Sequence, residues 1–111
     1  WKISADSTST SGINDLLLFF DMVYDSDRQV VVLFGAFDES EELTAETWEY
    51  DGIEWKQVFP QRSPFVQVWH AMAYDSHRKV VVLYGGSDYS DDNFVDFYET
   101  WEYDGVTWTQ K

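Results

Sequence analysis

Two stretches of the chain are near copies of one another, and this repetition constrains the fold more than any other feature. Met22 to Gly35 aligns with Met72 to Gly85 at an offset of 50, with ten identities in fourteen positions. Glu46 to Gly52 matches Glu99 to Gly105 at every one of its seven positions, now at an offset of 53. Three extra residues therefore lie between Gly85 and Glu99. Trp55 and Trp108 keep the offset of 53, and Trp1 stands 54 residues before Trp55, so the chain opens on what reads as the tail of a further unit. A period of about 50 with four strand-like pieces marks a unit that cannot bury its apolar faces alone and becomes stable by stacking on its neighbours.

Each copy carries the same four strand signals. Leu16 to Tyr24 and Val68 to Tyr74 are short apolar, aromatic runs whose length suits a buried strand. Small polar turns follow at Asp25–Arg28 and Asp75–Arg78, where side chains can bond their own backbone. Gln29 to Gly35 and Lys79 to Gly85 are apolar without alternation, which predicts a central strand buried on both faces. Glu46 to Asp51 and Glu99 to Asp104 alternate, so that Trp48 shares a face with Tyr50, and Trp101 with Tyr103. Asp51-Gly52 and Asp104-Gly105 predict two-residue hairpins with positive φ at both positions, leading into fourth strands at Ile53–Val58 and Val106–Gln110. Ser4 to Asn14, Ala36 to Ala45 and Gly86 to Tyr98 read as loops, and Phe59 to Gln67, with Pro60 and Pro64, as the link between copies. No segment has a helical period with caps.

Composition narrows the function classes. A hydrophobic content of 44% with 19% aromatics sets the chain apart from disordered sequences. It has no apolar run long enough for a transmembrane helix. Twenty-one acids against seven bases give a net charge of −14, which repels phosphate and so disfavours nucleic acid and anionic membranes as partners. With no cysteine there is no disulfide, zinc-thiolate site or thiol nucleophile in this chain, and the compartment stays undecided. The first residue is Trp1, and no basic stretch precedes an apolar run, so the sequence predicts no signal peptide and reads as a piece trimmed from a longer chain.

The repeated residues resemble the kelch repeat. In the first copy they are Tyr24 with Asp25 and Ser26, Arg28, the run to Gly35, Trp48, Gly52 and Trp55. In the second they are His70, Tyr74, Arg78, Gly85 with Gly86, Trp101, Gly105 and Trp108. Two departures stand out. Ala36 replaces the second glycine in copy one, and Arg62-Ser63 is followed by Pro64 to Trp69 before His70 is reached. The resemblance implies an all-β chain, a β-propeller segment of two four-stranded antiparallel blades with a repeat architecture of the WD-like kind. Residues 1–3 would be the outer strand of a preceding blade, 16–58 blade one and 67–110 blade two. It implies a non-catalytic scaffold without cofactor or metal, presenting a loop face to a protein or carbohydrate ligand. Two alternatives stay open: part of a propeller enzyme, galactose-oxidase-like or sialate-mutarotase-like, and a self-associating repeat that completes a ring between chains through exposed blade faces.

Strand alternation gathers the long connections on one rim, and the binding candidates follow from that. They are Arg62, Phe65 and Trp69, a cation beside aromatic rings, and Asp88, Tyr89, Asp91, Asp92 and Phe94 in the second long loop. The acidic loop lacks cation-loop spacing, because Asn93 stands where an EF-hand requires glycine. Solvated carboxylates are the simpler reading there, and ordering of the link the simpler one for Arg62. His70 and His77 have no partner at ligand spacing and read as structural and solvent-facing, respectively. No serine elbow, P-loop, zinc motif or dinucleotide fingerprint is present.

Overall fold

The computed structural model describes residues 17–39, 42–65, 68–88, 95–96 and 98–111. The expected outer strand at 1–3 and the loop at 4–14 lie outside these residues. The first copy forms β1 (Leu17–Asp25), β2 (Val30–Glu39), β3 (Glu42–Tyr50) and β4 (Trp55–Val58), an antiparallel sheet in sequential order. The second forms β5 (Val68–Asp75), β6 (Val80–Asp88), β7 (Val95–Asp96), β8 (Thr100–Tyr103) and β9 (Trp108–Gln110). Its path is β5-β6-β8-β9, with the two-residue β7 paired to β6 beyond the end of β8. The described chain is therefore all-β, two four-stranded antiparallel sheets with β7 as an addition.

Registers carry the repeat into space. Leu33 pairs with Met22 and Trp48, just as Leu83 pairs with Met72 and Trp101. Tyr50 lies opposite Trp55, and Tyr103 opposite Trp108. Because side chains alternate along a strand, each sheet has two chemically distinct faces. In the first sheet one face holds Met22, Tyr24, Val31, Leu33, Trp48, Tyr50 and Trp55, and the other holds Val23, Val32, Phe34, Thr47 and Glu49.

The two sheets stack, and their seam is the main core. Val32 and Phe34 of the first sheet join Val81, Leu83, Trp101, Tyr103 and Trp108 of the second in one buried cluster. A smaller cluster, Leu33 and Trp55 with Phe20, Met22, Val31, Trp48 and Tyr50, lies on the far face of the first sheet. The expectation of a central strand buried on both faces holds in β2, where Val32, Leu33 and Phe34 are all fully buried. It does not hold in β6, where Tyr84 is 50% exposed because its face carries no neighbouring sheet among the described residues.

Three local expectations are corrected. Ala36–Ala45 is mostly not loop. β2 and β3 continue as a ribbon to the Glu39–Glu42 pair, and β6 likewise continues through Gly85 and Gly86 to Asp88. Cross-strand pairing overrides the polar composition here. The Asp-Gly hairpins have four loop residues, not two. Only Gly52 (φ +99°) and Gly105 (φ +98°) are left-handed, and the Asp51 carboxylate accepts the amides of Ile53 and Glu54, as Asp104 accepts those of Val106 and Thr107. An Asx turn satisfies the loop amides without a second positive φ. The link is the third case. It reaches beyond the rim where the connections were expected to gather, because the Arg62 amide donates to Thr107 Oγ1 (3.0 Å) and the Trp108 amide donates to the Arg62 carbonyl (3.2 Å).

Candidate functional site

Asp25 and Arg28 close the first turn together. The Asp25 carboxylate accepts the amides of Asp27 and Arg28 and the Arg28 Nε–H, while the Gln29 amide returns to the Asp25 carbonyl with Gln29 at φ +59°. Arg28 then forks onto Glu49 of β3, with its two terminal nitrogens at 3.2 and 2.8 Å from the two carboxylate oxygens. The second copy repeats the turn with Asp75, Arg78 and Lys79, and Arg78 reaches Glu102 through one terminal nitrogen. Burial alone would raise the Asp25 pKa, but the bonds from the Arg28 amide and guanidinium outweigh it and hold the carboxyl below its usual range. Asp75, more open to water, is lowered by the Arg78 amide and side chain.

Among the described residues the seam between the sheets adds five polar contacts. Trp108 Nε1–H donates to Thr47 Oγ1 (3.0 Å), and Tyr103 O–H to Glu49 Oε2 (2.7 Å). Tyr74 O–H donates to Asp27, and the Met72 amide to Asp21 Oδ2 (3.0 Å). His70 Nε2 lies 2.8 Å from the Phe34 carbonyl, which makes it the donor and fixes the ring tautomer. Arg28 completes the junction, its guanidinium carbon 5.7 Å from the centre of the Tyr103 ring. Burial and the Glu49 carboxylate together push the Tyr103 hydroxyl above the usual tyrosine range.

His70 is 8% exposed, and its Nδ1 has no hydrogen-bond partner among the described residues. Burial lowers its pKa, with the Phe34 carbonyl and the Asp21 charge working the other way. The unfolded histidine titrates near about 6.5. As pH falls through that value the unfolded chain gains a proton that the folded chain resists, so stability is complete above it and declines below. The expected slope is up to about 1.4 kcal/mol per pH unit below about pH 6.5. His70→Phe, which places at this position the residue found at its repeat equivalent Phe20, should flatten chemical-denaturation stability between about pH 7 and pH 5. A slope that survives the substitution would assign it to other groups.

The candidates read from sequence fall in different places. Arg62 is exposed, and what it contributes to the described contacts is backbone, holding the link against the start of β9. Phe65 is exposed three residues further along the link. Trp69 belongs to β5, and Asp88 ends β6. Tyr89, Asp91, Asp92 and Phe94 lie outside the described residues. Arg62 and Asp88 are not brought together. The start of β9 pairs beside Val81, and Asp88 lies seven residues further along β6, roughly 20 Å away at strand rise. Trp55, Trp101 and Trp108 are buried, which agrees with their reading as packing residues, and Trp48 is half-buried with its indole N–H on Glu46. Asp21 and Glu49 were not singled out in the sequence. The signal for Asp21 was a lone carboxylate at the end of an apolar run, and for Glu49 an acid repeated at Glu102.

Compared with known proteins, the chain matches no family model and no curated protein.

Proposed function

We propose that the chain is a kelch-type β-propeller segment, a non-catalytic scaffold that holds a protein or carbohydrate ligand on one rim. The observation that carries this reading is the pair of ribbons projecting from the same end of both sheets. One is β2 and β3 out to the Glu39–Glu42 pair, and the other is the end of β6 with β7. Binding residues favour connections held by a rigid scaffold, and both ribbons continue strands anchored in the stacked core. In sequence, positions 38–42 carry Asp38, Glu39, Glu41 and Glu42, and positions 88–96 carry Asp88, Asp91, Asp92 and Asp96. A ligand surface with basic groups fits this charge.

A non-catalytic role is supported by where the titrating groups are used. Asp25, Arg28, Asp51, Asp75, Arg78 and Asp104 all close turns, and Tyr103 closes the seam. Repeat-equivalent placement of ionisable groups is the mark of architecture.

The test is an array of basic peptides and of glycans, probed with the whole chain and with Asp88→Asn/Asp91→Asn/Asp92→Asn. Binding that the triple variant loses by tenfold or more, at unchanged unfolding midpoint, supports the reading. Binding that survives the triple variant and is lost in Arg62→Ala would move the site to the link and overturn the rim assignment.

A further inference from the structure

The seam between the two sheets is heterologous. The face of the second sheet that carries Met72, Tyr74, Leu83, Tyr103 and Trp108 rests on the opposite face of the first sheet, the one that carries Val32, Phe34, Thr47 and Glu49. By the repeat, the first sheet owns a copy of the former face and the second sheet a copy of the latter. Neither copy is used in the described seam. We propose that these two surfaces dock on one another between chains, so that a second copy of this chain adds head to tail. Interfaces of this type make rings when the rotation closes and filaments when it does not.

Leu33 and Trp55 of the first surface are already buried among the side chains of their own sheet, and the difference from the used equivalents lies at two tyrosines. Tyr24 is 53% exposed, while its equivalent Tyr74 is half-buried against Asp27. Tyr84 is 50% exposed, while its equivalent Phe34 is fully buried under His70 and Trp108. The first sheet's surface is already set in its docked form. Tyr50 and Trp55 stand with ring centroids 5.1 Å apart and tilted by 34°, against 5.0 Å and 31° for Tyr103 and Trp108 in the seam. Gly52 is open as well. A Cβ built on Gly105 would meet the Arg28 guanidinium at 3.0 Å, whereas one on Gly52 meets nothing within 4 Å. Arg78 of the second chain, the equivalent of Arg28, has the length and charge to fill that space and lie over Tyr50.

The partner chemistry survives the translation in part. Trp55 would meet Thr100 and pack edge-on against Tyr84, as Trp108 meets Thr47 and packs edge-on against Phe34. Tyr50 would donate to Glu102, as Tyr103 does to Glu49, and Tyr24 would donate to a ring nitrogen of His77 where Tyr74 has Asp27. Two contacts are lost. Phe20 stands where His70 donates, and Ala71 stands where Asp21 accepts. Both fall on the first strand of each sheet, β1 and β5, so the junction between chains is weaker than the seam within one and assembles reversibly. The complementarity of the two faces, down to named pairs, selects a second copy over an unrelated protein.

Sedimentation velocity on the whole chain in about 0.15 M salt, where charge repulsion beyond about 8 Å is screened, reads the association directly. Wild type is expected to grow with concentration past the dimer or to a closed ring. Tyr24→Glu blocks one face and Tyr84→Glu the other, and each should weaken self-association by about 30-fold. Mixed together, the two variants retain one intact junction and should stop at a one-to-one dimer. A wild type that stays monomeric to about 1 mM, or a mixture that forms no dimer, overturns the proposal. So does either variant associating as wild type does. Near-UV circular dichroism confirms that the variants are folded, and Tyr24→Ser with Tyr84→Ser carry the same test should the acidic pair lose that signal.

Discussion

Trp108→Ala is expected to lower the unfolding free energy by about 3–5 kcal/mol, the upper range for truncating a buried aromatic. The indole is fully buried between the two sheets. It packs edge-on against Phe34 of the first sheet, 5.4 Å between ring centres, and lies beside Tyr103 of the second. Its N–H donates to Thr47, which is itself 1% exposed, so truncation also removes the donor from a buried hydroxyl. The repeat supplies the control. Trp55 occupies the same register on the far face of the first sheet, where fewer buried residues surround it. Trp55→Ala should cost roughly 2–3 kcal/mol, the low end for a large buried side chain. Urea denaturation followed by far-UV circular dichroism checks both. Equal losses for the two substitutions would mean that the seam does not dominate stability. The denaturant slope is informative too. A single seam makes the sheets unfold together, and Trp108→Ala, by loosening it, should broaden the transition or split it in two.

The architecture was legible because two independent periodicities coincide. The repeat located the units, and the alternation at Trp48 and Tyr50, or Trp101 and Tyr103, located their faces. The repeat could not say which copy of a face is covered. Trp55 and Trp108, or Phe34 and Tyr84, are equivalent in sequence and differ only through the presence of a neighbour, which no local signal encodes. The ribbon ends were missed because Asp38, Glu39 and Glu42 have loop composition and are held extended by pairing alone. Arg62 was singled out for its guanidinium, yet its structural part is played by its amide and carbonyl, groups that every residue has. Asp91 and Asp92 lie outside the described residues, and the acidic loop that holds them is an expectation from sequence.

Glu49→Ala should cost about 2–3 kcal/mol, and Glu102→Ala well under half of that, although the two glutamates are repeat equivalents. Both accept an arginine from their own turn, Arg28 or Arg78. Glu49 also accepts the hydroxyl of Tyr103 across the seam, a ring that is 1% exposed. Removing the carboxylate strands that hydroxyl and frees Arg28, whose guanidinium faces the Tyr103 ring and packs against Gly105. A buried donor deprived of a charged acceptor forfeits roughly 1.5–3 kcal/mol. The Glu102–Arg78 pair lies where Arg78 is half exposed, and an exposed ion pair contributes about 0.2–1 kcal/mol. Glu49→Gln separates the causes, because the amide still accepts from Tyr103 but loses the charge that Arg28 sees. Recovery of more than half the loss in Glu49→Gln would assign the effect to the Tyr103 bond. Recovery of little would assign it to the Arg28 fork, and then Arg28→Ala should reproduce the Glu49→Ala loss with no further loss in the double variant. Either way the asymmetry between Glu49 and Glu102 measures what stacking adds to a contact that both sheets make. Joining a second chain to the face that carries Glu102 should raise the cost of Glu102→Ala toward that of Glu49→Ala.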